Sequence, residues 1–216
     1  MRKENCQCVY CGAASEITRD HVPPKSFFPN PRPSNLATVP SCPCCNHKGS
    51  KDEGFLLVSL MLSDAGLKDT GKSMWESRLP RMLNRHRGVR LAMKKRMKRV
   101  NLTSPSGLYL GRRLAQEVDY QRLDRVAVKI IKGLYFLEYS APLPKSTSVQ
   151  CQWLNTPALA EDTKSHLQDA RLRKHGWPGV FEYKVAHVPE QPDRSIWFLL
   201  FFDYALWWST TGTWDD

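Results

Sequence analysis

The sequence predicts an α+β protein in which short antiparallel strands and helices follow one another along the chain. Two tight cysteine clusters lie within the first 45 residues, a strongly basic stretch with helical periodicity occupies the middle, and aromatic-rich, strand-like segments fill the end. These changes in composition predict three regions, which span residues 1–60, 61–145 and 146–216.

Composition is that of a folded protein, because 41% of the 216 residues are hydrophobic and 25% are charged. The longest apolar run, residues 196–208, is shorter than the roughly 18 residues that a membrane span needs, and Asp203 interrupts it. No membrane association is therefore expected. The N-terminus lacks the apolar segment of a secretory signal, so a cytoplasmic location is expected.

Six of the seven cysteines form two clusters near the N-terminus, as is typical of a metal site. Zinc prefers four thiolates in a tetrahedron, and two residues between cysteines let one turn present both sulfurs. The expected ligands of a structural Zn²⁺ are Cys8, Cys11, Cys42 and Cys45.

The remaining cysteines leave alternatives open. Cys6 or Cys44 could replace a neighbouring ligand, and both pairs could instead be reduced thiols without metal. Cys151 stands alone and is expected to be a buried apolar residue.

Between the clusters the sequence predicts a short hairpin whose strands are residues 17–22 and 36–39. Strand alternation places Asp20 and His21 on opposite faces, and a break after Val22 is expected because two prolines follow it. A helix is expected to begin after Cys45 and to enter the core at residues 55–58.

These elements together resemble the HNH endonuclease family, in the branch where four zinc cysteines surround a ββα-metal hairpin, as in the recombination endonuclease VII type. The resemblance covers residues 8 to about 55. A proline-rich loop, residues 29–33, stands where the family often has two glycines. The matching elements, in chain order, are Cys8 and Cys11, Asp20 and His21, Asn35, Cys42 and Cys45, and Asn46.

The resemblance implies a role for each polar residue. Asp20 and Asn46 would bind one Mg²⁺ or Mn²⁺, and His21 would act as general base on the attacking water. Asn35 would orient the imidazole or brace the hairpin. The products would carry a 5′-phosphate and a 3′-hydroxyl.

Each role has an alternative. Asn35 could be only a turn residue after Pro33, and Asn46 could be only a helix N-cap. His47 competes with Asn46 as a metal ligand, although its side chain points about 100° away on a helix. Glu53 is a weaker candidate for a further ligand.

Charge is concentrated in the middle of the chain, which has no acidic residue from 77 to 116. Twelve bases in that stretch account for the net charge of +11, and such a field favours nucleic acid or an anionic membrane surface. Nucleic acid is favoured because few apolar residues accompany the bases; the alternative is a solvated basic face. The expected nucleic-acid contacts are Lys25, Lys48, Lys51, Arg90, Lys94, Lys95, Arg96, Lys98 and Arg99.

The other elements follow from periodicity. Helices are predicted at residues 55–66, 73–87, 90–99, 119–139 and 158–174. Strands are predicted at residues 100–102, 108–110, 149–154, 181–188, 196–203 and 205–211, with a loop at 189–194. The aromatic residues of the last strands are expected to be core rather than a base-stacking platform.

The function expected from the resemblance is a metal-dependent endonuclease that acts on nucleic acid, with DNA favoured. A homodimer would supply two active sites for a double-strand cut. Two other functions compete with it: a non-catalytic zinc module that binds nucleic acid, and an interaction module whose C-terminal half binds a partner.

Overall fold

The computed structural model describes residues 7–63, 66, 69–85, 87–154, 173–188 and 190–214. Within these residues the chain is a mixture of helices and antiparallel sheets, so the α+β prediction is confirmed. None of the helices in the described part of the chain is long and apolar enough to cross a membrane.

The N-terminal region contains the predicted hairpin and the helix after it. Strand β1 is Thr18–His21 and strand β2 is Thr38–Ser41, paired antiparallel so that Asp20 lies opposite Val39. Helix α1, Pro43–Lys48, follows β2 directly, and helix α2, Ser50–Leu62, continues after Gly49. The second strand therefore begins two residues later than predicted, and α2 ends at Leu62 rather than at residue 66.

The central region differs from the prediction in two places. The expected helix 73–87 is two helices, α3 (Asp69–Ser77) and α4 (Leu79–Arg85), because Pro80 has no N–H to continue the first helix. The expected helix 90–99 is wrong beyond Arg96. Helix α5 is Arg87–Arg96, and the chain then turns into strand β3, Met97–Thr103, which pairs with β4, Tyr109–Gln116.

The long helix predicted at 119–139 is confirmed as α6, Tyr120–Tyr139. Asp119 caps its first turn by accepting a hydrogen bond from the Arg122 N–H, and Ser140 ends it in the left-handed conformation. Its apolar face, which includes Leu123, Ile130 and Leu134, is buried.

The C-terminal region forms a five-stranded antiparallel sheet in the order β5-β9-β8-β7-β6. Its strands are β5 (Val149–Leu154), β6 (Arg173–Trp177), β7 (Phe181–Val188), β8 (Gln191–Phe201) and β9 (Ala205–Thr211). Three of these match the predicted strands, whereas β8 begins earlier and shortens the predicted loop 189–194. Of the predicted helix 158–174, residues 158–172 lie outside the described residues, and the last two belong to β6.

One continuous set of buried apolar side chains in the described residues joins all three predicted regions. Phe27 packs edge-on against Phe201 at 5.7 Å between ring centroids, and Phe28 does the same against Trp177 at 5.1 Å. Most aromatic residues of the last strands are core, as expected, although Trp208 is 37% exposed. The sheet therefore supports the loop that follows His21.

Gly133 in α6 packs directly against Val22 in this loop. A Cβ there would lie 2.5 Å from Cγ2 of Val22, whereas a Cβ on Gly54 would meet its nearest atom at 3.7 Å. We expect Gly133→Ala to lower the free energy of unfolding by about 1–3 kcal/mol through overpacking. Gly54→Ala, the matched control in α2, should be neutral or stabilising. Equal effects of the two substitutions in urea unfolding would contradict this packing.

Candidate active site and metal centre

Four cysteines converge near the N-terminus. The sulfur atoms of Cys8, Cys11, Cys42 and Cys45 all lie within 4.8 Å of one another, and Cys11 Sγ is 3.8 Å from Cys42 Sγ. A tetrahedral ion with bonds of about 2.3 Å to sulfur requires sulfur–sulfur edges of about 3.8 Å. The cluster could therefore hold a metal ion such as zinc. Cys44 is exposed and outside the cluster, while Cys6 lies outside the described residues.

A tight turn and the start of helix α1 position these four sulfur atoms. Cys8 and Cys11 flank a tight turn closed by the Gly12 N–H, which donates to the Cys8 carbonyl at 2.7 Å, and Gly12 has a φ of 70°. Cys42 is the N-cap of α1, and its sulfur accepts a hydrogen bond from the Cys45 N–H at 3.4 Å. The cluster thus ties the first turn to the end of the hairpin and the start of α1.

The thiols differ in acidity. Burial opposes ionisation of Cys8, but hydrogen bonds from the backbone of Cys42, Cys11 and Tyr10 outweigh it and lower the pKa of Cys8 to about 6. Burial raises the pKa of Cys45, and its contacts with the other thiols and the charge of Cys8 raise it further. A metal ion would therefore be needed to hold all four groups as thiolates.

His21 is the last residue of β1, and its side chain is half-buried where the loop between β1 and β2 begins. Burial lowers the pKa of His21, and the positive charge of Lys25 lowers it further; Asp20 opposes this shift and Arg32 adds to it. The Arg32 Nε donates to the Lys25 carbonyl at 3.1 Å, so the proline-rich loop folds back toward this face. The imidazole is consequently neutral near pH 7 and has two exposed cations as neighbours.

Asp20 points the opposite way from His21, as strand alternation predicts. It is only 7% exposed, and its Oδ2 lies 2.8 Å from the Nζ of Lys129 in α6. The same Nζ lies 2.7 Å from Oε1 of Glu53 in α2. One buried ammonium therefore pairs with two carboxylates and connects β1, α2 and α6.

The two asparagines take structural positions. Asn46 lies in α1, and its Nδ2 donates to Thr18 Oγ1 at 3.0 Å and more weakly to the Arg19 carbonyl, which fastens α1 to β1. It is not the N-cap of α1, since Cys42 occupies that position. The Asn35 Oδ1 accepts from Trp177 Nε1 at 3.5 Å, a contact that braces the loop against β6.

The residues expected to bind Mg²⁺ or Mn²⁺ do not fit such an ion in this arrangement. The Asp20 carboxylate is buried against an ammonium group, and Asn46 directs its amide nitrogen to β1. Among the described residues, the four cysteines are the only group of three or more His, Cys, Asp or Glu side chains gathered closely enough to hold a metal ion. A catalytic divalent ion therefore stays a prediction. His47 is exposed on α1 and contacts the Pro43 carbonyl through Nδ1 at 2.7 Å.

The predicted nucleic-acid contacts divide into two groups. Arg96 pairs with Asp119 at 2.8 Å, and Lys98 pairs with Glu117 at 2.7 Å, which reduces their availability to phosphate. Lys98 is exposed despite this pairing, and so are Lys25, Lys48, Lys51, Arg90, Lys94, Lys95 and Arg99. The β3–β4 ribbon adds exposed bases at Arg112 and Arg113, beside exposed Leu108, Tyr109 and Leu110.

Sequence reasoning missed Lys129 and Arg32. Lys129 lies far from Asp20 in the chain, in a helix whose other features indicated only a core face. Arg32 was visible as the one base in the proline-rich loop, and the direction of that loop could not be read from local pattern.

Comparison with protein-family models, with curated proteins and with solved structures gives no match to this chain.

The four-cysteine cluster makes a testable prediction about metal content. We expect Cys42→Ser to lose bound zinc and to lower the melting temperature, because metal binding to such a cluster contributes directly to folding. Cys44→Ser is the matched control, since Cys44 neighbours the cluster but is exposed. Zinc per chain, measured by mass spectrometry after dialysis, together with a thermal melt, tests this. Retention of zinc by Cys42→Ser, or its loss from Cys44→Ser, would contradict the ligand set.

Proposed function

We propose that this protein is an endonuclease that hydrolyses phosphodiester bonds in nucleic acid, with DNA favoured as the substrate, and that His21 is its general base. The observation that carries the proposal is the position of His21 at the end of the cysteine-bound hairpin. There its pKa is lowered and two cations, Lys25 and Arg32, are close enough to act on it. A neutral base among positive charges suits an attack by water on a phosphate.

The proposed reaction is hydrolysis by a water molecule that His21 deprotonates. The His21 imidazole takes a proton from water, and the water oxygen forms a bond to phosphorus as the bond to the 3′ oxygen breaks. Lys25 and Arg32 stabilise the negative charge that develops on the phosphate oxygens. Solvent protonates the leaving oxygen, which gives a 3′-hydroxyl and a 5′-phosphate.

Exposed bases support binding to a polyanion. Helix α5 presents Arg90, Lys94 and Lys95, and the β3–β4 ribbon combines exposed bases with exposed apolar side chains. A two-stranded antiparallel ribbon can enter the major groove of duplex DNA, and cations beside the groove can contact phosphates. We assign these surfaces to substrate binding, and a homodimer would allow both strands to be cut.

Zinc is the metal we propose for the cysteine cluster, with a structural role, because four thiolates leave no open coordination position. The resemblance also implies a catalytic Mg²⁺ or Mn²⁺. Asp20, which would bind that ion, is instead paired with Lys129.

A second candidate function is a non-catalytic zinc module that binds nucleic acid. The burial of Asp20 against Lys129 favours it, since a binding module has no need of an accessible carboxylate. Cleavage that depends on His21 separates the two candidates.

We expect the purified protein to nick or linearise supercoiled plasmid in buffer that contains Mg²⁺, and His21→Ala to lose about a hundredfold to ten-thousandfold in rate, the usual worth of a general base. His47→Ala is the matched control, because His47 is an exposed histidine on the neighbouring helix. Agarose gel electrophoresis of time points measures both. Equal rates for the wild type and His21→Ala would remove His21 from the mechanism, and binding without cleavage of DNA, RNA or branched substrates would favour the second candidate.

A further inference from the structure

Lys129 sits where two carboxylates from different elements meet. Its Nζ donates a charge-assisted hydrogen bond to Glu53 Oε1 at 2.7 Å. The same Nζ forms an ion pair with Asp20 Oδ2 at 2.8 Å, although this buried oxygen accepts no hydrogen bond of regular geometry within the described residues. Only 15% of the Lys129 side chain is exposed, compared with 9% for Asp20 and 13% for Glu53. Both carboxylate oxygens are therefore paired with the same buried cation, which is the ammonium group of Lys129 itself.

The backbone leaves room for this ammonium. A Cβ on Gly49, at the junction of α1 and α2, would lie 3.2 Å from Lys129 Nζ and 3.1 Å from Glu53 Oε1. Lys129 also lies over the Tyr10 ring, with Nζ 5.5 Å from the ring centroid, which adds a cation–π contact. Elements from both sides of the site thus hold the positive charge in one place.

A divalent ion could not share this position. Mg²⁺ lies about 2.0–2.1 Å from its oxygen ligands, which would place it against the ammonium group. Two positive charges at such a separation repel strongly in a partly buried site. Lys129 also lines an open groove of about 690 Å³ together with Lys48, Arg125 and Lys132.

We propose that Lys129 is the resident cation of this site, that it takes the place of a divalent ion between Asp20 and Glu53, and that hydrolysis at His21 proceeds without Mg²⁺ or Mn²⁺. The second half of this inference rests on the proposed nuclease function, whereas the first half does not. The positive charge that stabilises the phosphate during hydrolysis then comes from side chains and not from a divalent ion.

The test is a titration of the zinc-loaded, full-length protein with Mn²⁺, in which electron paramagnetic resonance measures the free ion. We expect no saturable binding by the wild type or by Lys132→Met, which removes a lysine from the same groove. Lys129→Met should bind Mn²⁺ at least about tenfold more tightly than either, as expected when a like charge is removed at contact distance. Mn²⁺ should also raise the melting temperature of Lys129→Met, and adding Asp20→Asn should abolish both effects.

Saturable Mn²⁺ binding by the wild type that Asp20→Asn abolishes would overturn the proposal, and so would a failure of Lys129→Met to gain binding. If Lys129→Met does not fold, Lys129→Gln replaces it, and the wild-type titration decides the matter independently. Plasmid cleavage by the wild type should continue in buffer free of Mg²⁺ and Mn²⁺; an absolute requirement for either ion would overturn the proposal. Absence of cleavage under all conditions would defeat the nuclease function while leaving the titration decisive.

Discussion

The pairing of Lys129 with Asp20 and Glu53 is the interaction on which the arrangement of the site depends. It connects the hairpin, α2 and α6 through one buried charge. Buried charges are tolerated only when they are paired, and breaking such a pair typically costs about 3–5 kcal/mol because the partner is left uncompensated. Burial lowers the pKa of Lys129, but the two carboxylates outweigh it and raise the pKa overall, so the ammonium stays charged over the whole neutral range. Asp20 is thereby fixed inward, which turns His21 outward on the same strand.

The cysteine cluster fixes the other end of the same module. It joins the first turn to α1 through Cys42 and Cys45, and the Val9 N–H donates to the Pro40 carbonyl at 3.0 Å beside it. Asn46 adds a hydrogen bond from α1 to β1. The hairpin is consequently held on one side by the cysteines and on the other by ion pairs, and His21 lies at the strand end between them and the loop. A rigid position of this kind is what a general base requires.

Much of the local structure could be predicted from the sequence. The spacing of the cysteines predicted which four sulfurs converge, and the apolar periodicity of residues 119–139 predicted α6, because both signals are short-range and strong. The strands Val149–Leu154 and Ala205–Thr211 matched because alternating, β-branched and aromatic residues mark them clearly. The strand predicted at residues 100–102 is part of β3, but the first three residues of β3, 97–99, were assigned to a helix because lysine and arginine favour helix, whereas pairing with β4 decides their conformation. The partner of Asp20 was missed for a different reason: it depends on how α6 packs against the hairpin, and no local pattern encodes that contact.

The central claim is that the neutral imidazole of His21 is the base that limits phosphodiester hydrolysis. Its most direct test compares the pKa of His21, measured by NMR, with the acid limb of the single-turnover cleavage rate against pH. Only the neutral imidazole accepts a proton, so the rate should rise with pH through a midpoint below the usual histidine pKa of about 6.5 and then level off. Lys25→Ala removes a cation that lowers the pKa, so the NMR midpoint and the kinetic midpoint should both move to higher pH by the same amount, and Lys48→Ala should move neither. A cleavage rate whose midpoint does not follow the pKa of His21 would contradict the account.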